Sequence, residues 1–206
     1  MSLSLNPNIW GPDQWTVLYE TCFCLEMCRH LKNAKGMTLL KRFLYILSDL
    51  FLCDHCGEFF TRQLVLSSEE TNYIDWIYDL KNLVTLKIFV TNQETKKCTL
   101  QVCPLITLSR LEFYDRLLYH HKTPSYKSWL FTISLIIKKY EHENKARNEE
   151  TNNNSRDTRL DDLKSTLQEI KQHISYFKNM PTSLFDTDND SVNNFFENYL
   201  KAATIS

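Results

Sequence analysis

An all-α fold is predicted by three features of the sequence. The 206-residue chain holds only three glycines and five prolines, too few for a turn-rich β fold. Apolar side chains recur at intervals of three and four residues along most of it. Hydrophobic residues make up 43% of the chain, enough to bury a sizeable core.

The elements follow in order. In Trp10-Gly11-Pro12-Asp13-Gln14-Trp15, Gly11 and Pro12 mark a turn into a first helix over residues 10–32. Trp15, Leu18, Cys22 and Leu25 step along one face, and Tyr19, Phe23 and Met27 along its neighbour. Cys24 and Cys28 lie one turn apart, a spacing open to a metal; small apolar fillers of a buried helix show the same pattern. Gly36 is expected to break the helix. A second helix is predicted over 37–52, with Leu39, Leu40, Phe43, Leu44, Ile46, Leu47, Leu50 and Phe51 in a broad apolar stripe that should be largely buried. The third runs from Cys53 to about Leu66 and the fourth from Thr71 to Lys87. The fourth places Tyr73, Trp76, Ile77, Leu80, Leu83 and Val84 on its buried side. Residues 88–106 are β-prone around a polar segment and predict a short hairpin or an irregular loop. Helical patterning resumes over 108–119 and, after Pro124, over 125–140.

Three regions result: a helical domain over 1–140, a polar linker over 141–155, and a helical C-terminal extension over 156–206. In the extension, Leu160, Leu163, Leu167, Ile170 and Ile174 form a short a/d seam, open to self-association or to docking on the main domain. A last helix is expected over 191–203.

Charge is balanced, with 24 basic and 25 acidic side chains, so nothing points to nucleic acid or a membrane surface. No run is long and apolar enough for a membrane span, and the first residues do not read as a secretory signal. The expected location is cytoplasmic, a reducing compartment. Seven cysteines there suggest redox or metal use rather than a disulfide scaffold.

Cys53-Asp54-His55-Cys56 is the motif with the most chemistry. Two cysteines at this spacing can close a disulfide, and unpaired N–H groups at a helix start stabilise a thiolate. His55 would favour that thiolate if protonated, or be a solvated loop residue. The pair could also be half of a zinc site, completed by two of Cys22, Cys24, Cys28, Cys98, Cys103 or a histidine, or simply two core thiols.

Three blocks in register resemble the Erv/ALR-type FAD-linked sulfhydryl oxidases, particularly the divergent versions found in large DNA viruses. Trp10-Gly11-Pro12, then Trp15-Thr16-Val17-Leu18-Tyr19, is similar to the first flavin-binding segment, with Tyr19 at a usual histidine. Cys53-Asp54-His55-Cys56 with Phe59 or Phe60 resembles the active-site motif and its trailing aromatic. Trp76 followed by Lys81-Asn82-Leu83-Val84-Thr85 resembles the third block, where Lys81 replaces a histidine and Thr85 an asparagine. The resemblance covers roughly residues 8–120.

It implies a bundle of four to five helices around FAD, and an enzyme passing electrons from protein thiols through Cys53 and Cys56 to FAD and oxygen, giving hydrogen peroxide. A substrate thiolate would attack at Cys53 and release Cys56. The cofactor-binding residues would be Trp10, Gly11, Trp15, Tyr19, Trp76, Lys81, Asn82 and Val84, with Lys87 beyond them. Partners would be protein thiol substrates, a thioredoxin-like relay and a second copy of the chain. Family members often carry a second cysteine pair; the candidate is Cys98 with Cys103, flanked by Lys96 and Lys97, as a clamp or electron relay, against two unrelated thiols. The departures at Lys81 and Thr85 also permit a helical interaction protein that has lost the flavin.

Overall fold

The structure, a computed structural model, describes residues 7–64, 72–95, 108–120, 122–151, 158–182 and 190–204. Among these residues it is all helical, with eight α-helices, one 3-10 turn and no strand. In chain order the helices are α1 (Pro7–His30), α2 (Ala34–Asp49), α3 (Asp54–Leu64), α4 (Tyr73–Glu94), α5 (Arg110–His120), α6 (Tyr126–Thr151), α7 (Thr158–His173) and α8 (Asp190–Thr204). The 3-10 turn, Ser175–Phe177, follows α7.

Helix α1 is the centre. From Val17 to Cys28 most of its residues are buried, whichever way they point, because α2, α4, α5 and α6 all pack against it. It starts earlier than expected, at Pro7, and carries Pro12 inside it. Two buried carboxylates on α1 fix the helices around it. Glu20 accepts the Ser125 N–H at 2.7 Å, just before α6 begins, and the Trp129 indole N–H on α6. Glu26 accepts the Tyr73 N–H at 2.6 Å, at the first residue of α4, and pairs with Arg29. Each carboxylate meets the positive end of a helix, where a negative charge is favoured. Trp129 is fully buried between Phe43 of α2, at 5.3 Å, and Phe177, at 5.0 Å.

Three boundaries and one burial assignment correct the sequence reading. Gly36 does not break a helix; it lies in the first turn of α2, where its N–H bonds the Asn33 cap at 2.9 Å. A Cβ there would sit 2.7 Å from Cys28 Sγ, so the glycine serves the close crossing of α1 and α2. Ile88-Phe89-Val90 are helical rather than β, because α4 runs on to Glu94. Once a helix is nucleated, β-branched residues cost only about 0.7 kcal/mol each, and no Gly or Pro intervenes to stop it. On this far half of α4, Leu83, expected on the buried side, is exposed, as are Leu86, Ile88 and Val90. Residues 141–151, expected as linker, extend α6, since Glu, Lys, Arg and Ala propagate a helix as well as apolar residues do.

The apolar seam of α7 is spent within the chain. Leu160, Leu163, Leu167 and Ile170 are buried, and α7 packs on α2 with Arg42 paired to Asp162 and Glu169 at 3.3 and 3.6 Å. Helix α8 lays Val192 and Phe196 against α6, with Phe195 on Phe131 at 6.0 Å. The side chain of Tyr199, placed by sequence on this helix, lies outside the described residues.

Candidate functional site

The two cysteines sit where α2 hands over to α3. Leu50 closes α2, its N–H bonding Ile46 O at 3.0 Å. Leu50, Phe51, Leu52 and Cys53 are all buried, so an apolar turn carries the chain into α3. Cys53 is the residue before the first helical position. Its carbonyl accepts the Gly57 N–H at 2.8 Å, and its Sγ accepts the Cys56 N–H at 3.3 Å. The sulfur thus occupies the place of an N-cap side-chain oxygen, among the free N–H groups of a helix start. Cys53 and Cys56 are joined as a disulfide with Cα atoms 5.2 Å apart. Cys53 is buried and Cys56 half-buried.

Helix α6 clamps this turn from behind. Tyr140 donates its hydroxyl to Asp49 O at 3.2 Å and Phe51 O at 3.4 Å. Lys139, with no solvent exposure, donates to Phe51 O at 3.3 Å and Leu52 O at 3.5 Å. Sequence periodicity predicts a helix over 125–140 but singles out neither residue. The available signal was phase: position 139 lies three and four residues after Ile136 and Leu135, on the buried stripe. Glu20 and Glu26 escaped notice for a related reason, since a carboxylate's burial depends on which helix end it meets.

Aromatic rings surround the disulfide turn. Trp10 meets Phe51 at 6.2 Å, Phe51 meets Phe60 at 5.1 Å, and Phe60 meets Trp76 at 6.0 Å. A second series runs from Trp15 to Tyr19 at 5.8 Å, on to Phe113 of α5 at 5.6 Å, and to Tyr78 of α4 at 5.3 Å. Helices α1 and α4 are antiparallel here: Glu26 meets Tyr73 at one end, and Trp15 meets Lys81 nearer the other. The first and third sequence blocks are therefore brought together, with the second beside them.

Individual residues sort as follows. The Lys81 ammonium lies 4.6 Å from the centre of the Trp15 ring, and burial lowers its pKa. Lys87 lies over Phe59 at 4.5 Å. The Thr85 hydroxyl donates to Lys81 O at 2.8 Å, so it is turned onto its own helix rather than outward. Asn82 is half-buried, and Val84 packs against the core. Burial, helped by neighbouring Cys22, pushes the Tyr19 phenol well above its usual range, so at neutral pH it is an uncharged ring and a donor. Trp76 uses its indole N–H on Gln63 O at 3.3 Å. The side chain of His55 lies outside the described residues.

A flavin nucleotide needs flat apolar walls, a few polar groups for the ring edge, and cations for the pyrophosphate. The residues present fit those needs. Trp10, Trp15, Tyr19 and Trp76 are flat apolar rings of the kind such walls need, and Lys81 and Lys87 are cations on one helix, each resting on an aromatic ring. Gln14, one turn from Trp10, is buried with both its amide atoms lacking a protein partner. A Cβ at Gly11 would meet nothing within 4 Å, so open space adjoins the first block.

Cys22, Cys24 and Cys28 are buried on α1, and burial raises all three thiol pKa values, which suits fillers rather than nucleophiles. Cys98 and Cys103 lie outside the described residues. Among the described residues no three His, Cys, Asp or Glu side chains converge as a metal site, and no helix is long and apolar enough to cross a membrane. No protein-family model, no curated protein and no solved structure matches the chain.

Proposed function

We propose that this chain is an FAD-dependent thiol oxidase that makes disulfides in protein substrates. The observation that carries the proposal is a Cys53–Cys56 disulfide on a helix N-terminus, set among the tryptophans of two other blocks. A substrate thiolate opens the disulfide at one sulfur, forming a mixed disulfide and releasing the other cysteine as a thiolate. A second substrate thiol displaces the first, giving oxidised substrate and the Cys53/Cys56 dithiol. Two electrons and two protons have then moved from substrate to the pair. The start of α3 stabilises the anionic sulfur in this state, through the Cys56 N–H aimed at Cys53. FAD, when bound, would take up that electron pair and deliver it to oxygen as hydrogen peroxide. Trp10, Trp15, Tyr19 and Trp76 would hold its rings and exclude water, Gln14 would meet a ring-edge polar group, and Lys81 or Lys87 its phosphates. The resemblance assigns the attack to Cys53, whereas exposure favours Cys56. Trapping the substrate mixed disulfide in Cys53→Ser and Cys56→Ser separates the two. A cytoplasmic homodimer, fed directly or through a thioredoxin-like relay, completes the proposal.

The test is an absorption spectrum and an oxygen electrode. Purified protein, reconstituted with FAD, is expected to show a flavin band near about 450 nm and thiol-dependent oxygen uptake. Cys56→Ser should keep the band and lose the uptake. Folded protein that stays colourless after reconstitution and consumes no oxygen would overturn the reading. It would leave instead a helical interaction protein without flavin. That alternative draws support from Lys81 and Thr85, whose polar groups are both engaged within the chain.

A further inference from the structure

Phe51 is the residue that touches both arms of the disulfide. It stands two positions before Cys53, and a Cβ built on Gly57 would lie 2.8 Å from the Phe51 Cβ. Gly57 directly follows Cys56. Phe51 therefore reaches Cys53 through the backbone and the Cys56 arm through its packing on α3. Its own place is set from behind by Tyr140 of α6, which is buried. One phenolic hydrogen is shared between Asp49 O at 3.2 Å and Phe51 O at 3.4 Å, the two carbonyls on either side of Leu50. Sharing makes both contacts longer than a single hydroxyl bond. Lys139 holds the same turn at Phe51 O and Leu52 O. The Tyr140 ring is met by the Lys139 ammonium at 4.8 Å and by the Arg159 guanidinium of α7 at 5.2 Å. The C-terminal extension thus touches the residue that holds the turn.

We propose that Tyr140 is a positioning residue for the Cys53–Cys56 pair, its hydroxyl keeping the reduced thiols close enough to re-form their bond. In the oxidised pair the S–S bond itself holds the two Cα atoms 5.2 Å apart. In the dithiol that bond is gone, and the turn and the seating of α3 on it must hold the sulfurs together. A turn free to shift gives the reduced form more conformations and lowers the effective concentration of one thiol beside the other. The brace therefore favours the oxidised pair, through geometry and not through charge. The inference rests on Cys53 and Cys56 being the working pair and needs no flavin. The flavin band and the oxygen uptake decide the oxidase reading separately, so either can fail alone.

The experiment equilibrates the full-length chain in glutathione buffers. Two glutathione thiols give two electrons and two protons to the disulfide and leave as glutathione disulfide. The Cys53/Cys56 redox state is read by alkylation and mass spectrometry, with circular dichroism to check the fold. Tyr140→Phe removes the hydroxyl and keeps the ring. Half reduction is then expected at about a threefold lower ratio of squared glutathione to glutathione disulfide, the worth of one weak hydrogen bond. A merely structural role would lower stability without moving this ratio. Ile170→Val is the control for that case, since it trims one methyl group from a fully buried side chain about 16 Å along α7 from Arg159. It should destabilise the fold and leave the ratio within about 1.3-fold of the parent. A Tyr140→Phe shift under about 1.5-fold or toward harder reduction, or an equal shift in Ile170→Val, overturns the proposal.

Discussion

Replacing Gly57 with alanine tests how tightly α3 is seated on the turn that carries the disulfide. At an ordinary helix-interior position this change stabilises, by about 0.8–1.0 kcal/mol. Here the new Cβ would lie 2.8 Å from Phe51 Cβ and 3.1 Å from Ser48 O. Carbon atoms rest at about 3.5–4.0 Å, so at least about 0.7 Å of separation is missing. Neither obstacle can swing aside. One is a backbone carbonyl and the other a Cβ fixed to the backbone, in a stretch that Tyr140 and Lys139 hold from behind. Overpacking of this kind costs about 1–3 kcal/mol, and two rigid contacts place it in the upper half of that range. Subtracting the propensity gain leaves a net loss of about 1–2 kcal/mol. Urea unfolding of the oxidised protein measures it. With a slope of about 2 kcal/mol per molar urea, the midpoint should fall by about 0.5–1 M. Because Cys56 immediately precedes Gly57, reduction by dithiothreitol should also become faster. A midpoint equal to or above that of the parent would refute the reasoning, since it would mean α3 has room that the geometry denies.

Three further outcomes follow from buried polar groups. Glu20→Ala orphans the Ser125 N–H and the Trp129 indole N–H; at about 1–3 kcal/mol for each donor, stability should fall by about 2–6 kcal/mol in urea unfolding, and a fall under 1 kcal/mol would show that water replaces the carboxylate. Burial raises the pKa of Cys22 and Cys24, so at pH 8 these thiols stay protonated and native protein should resist alkylation there, by mass spectrometry, under conditions that label the urea-unfolded chain fully; equal labelling would contradict the burial. Gln14→Leu removes two unpartnered buried atoms, so flavin-free stability should hold or rise while FAD affinity, by fluorescence titration, falls about fivefold, the worth of one hydrogen bond; a loss of flavin-free stability above about 1 kcal/mol would reveal a protein partner for Gln14.

The sequence by itself determined the helical class, most helix positions, and a Cys53–Cys56 spacing able to close a disulfide. Those depend on local properties: a period of three to four residues, scarce Gly and Pro, and two sulfurs three residues apart, which meet on one helical turn in any context. It misjudged where α4 and α6 end, because propensity and polarity near a helix end are weak forces beside continuation of a helix already formed. The fate of the α7 seam was undecided in sequence, since an apolar stripe is equally satisfied by a second copy or by its own chain; the structure buries it on α2. The setting of the site was likewise decided only in three dimensions. Glu20 and Glu26 acquire meaning from the helix starts they reach, 105 and 47 residues away in sequence. Lys139 reaches the α2–α3 turn only because α6 crosses behind it, 88 residues from the carbonyl of Phe51 that it binds. Hydrogen bonds and buried charges act over a few ångströms in space and carry no mark in the spacing of residues along a chain.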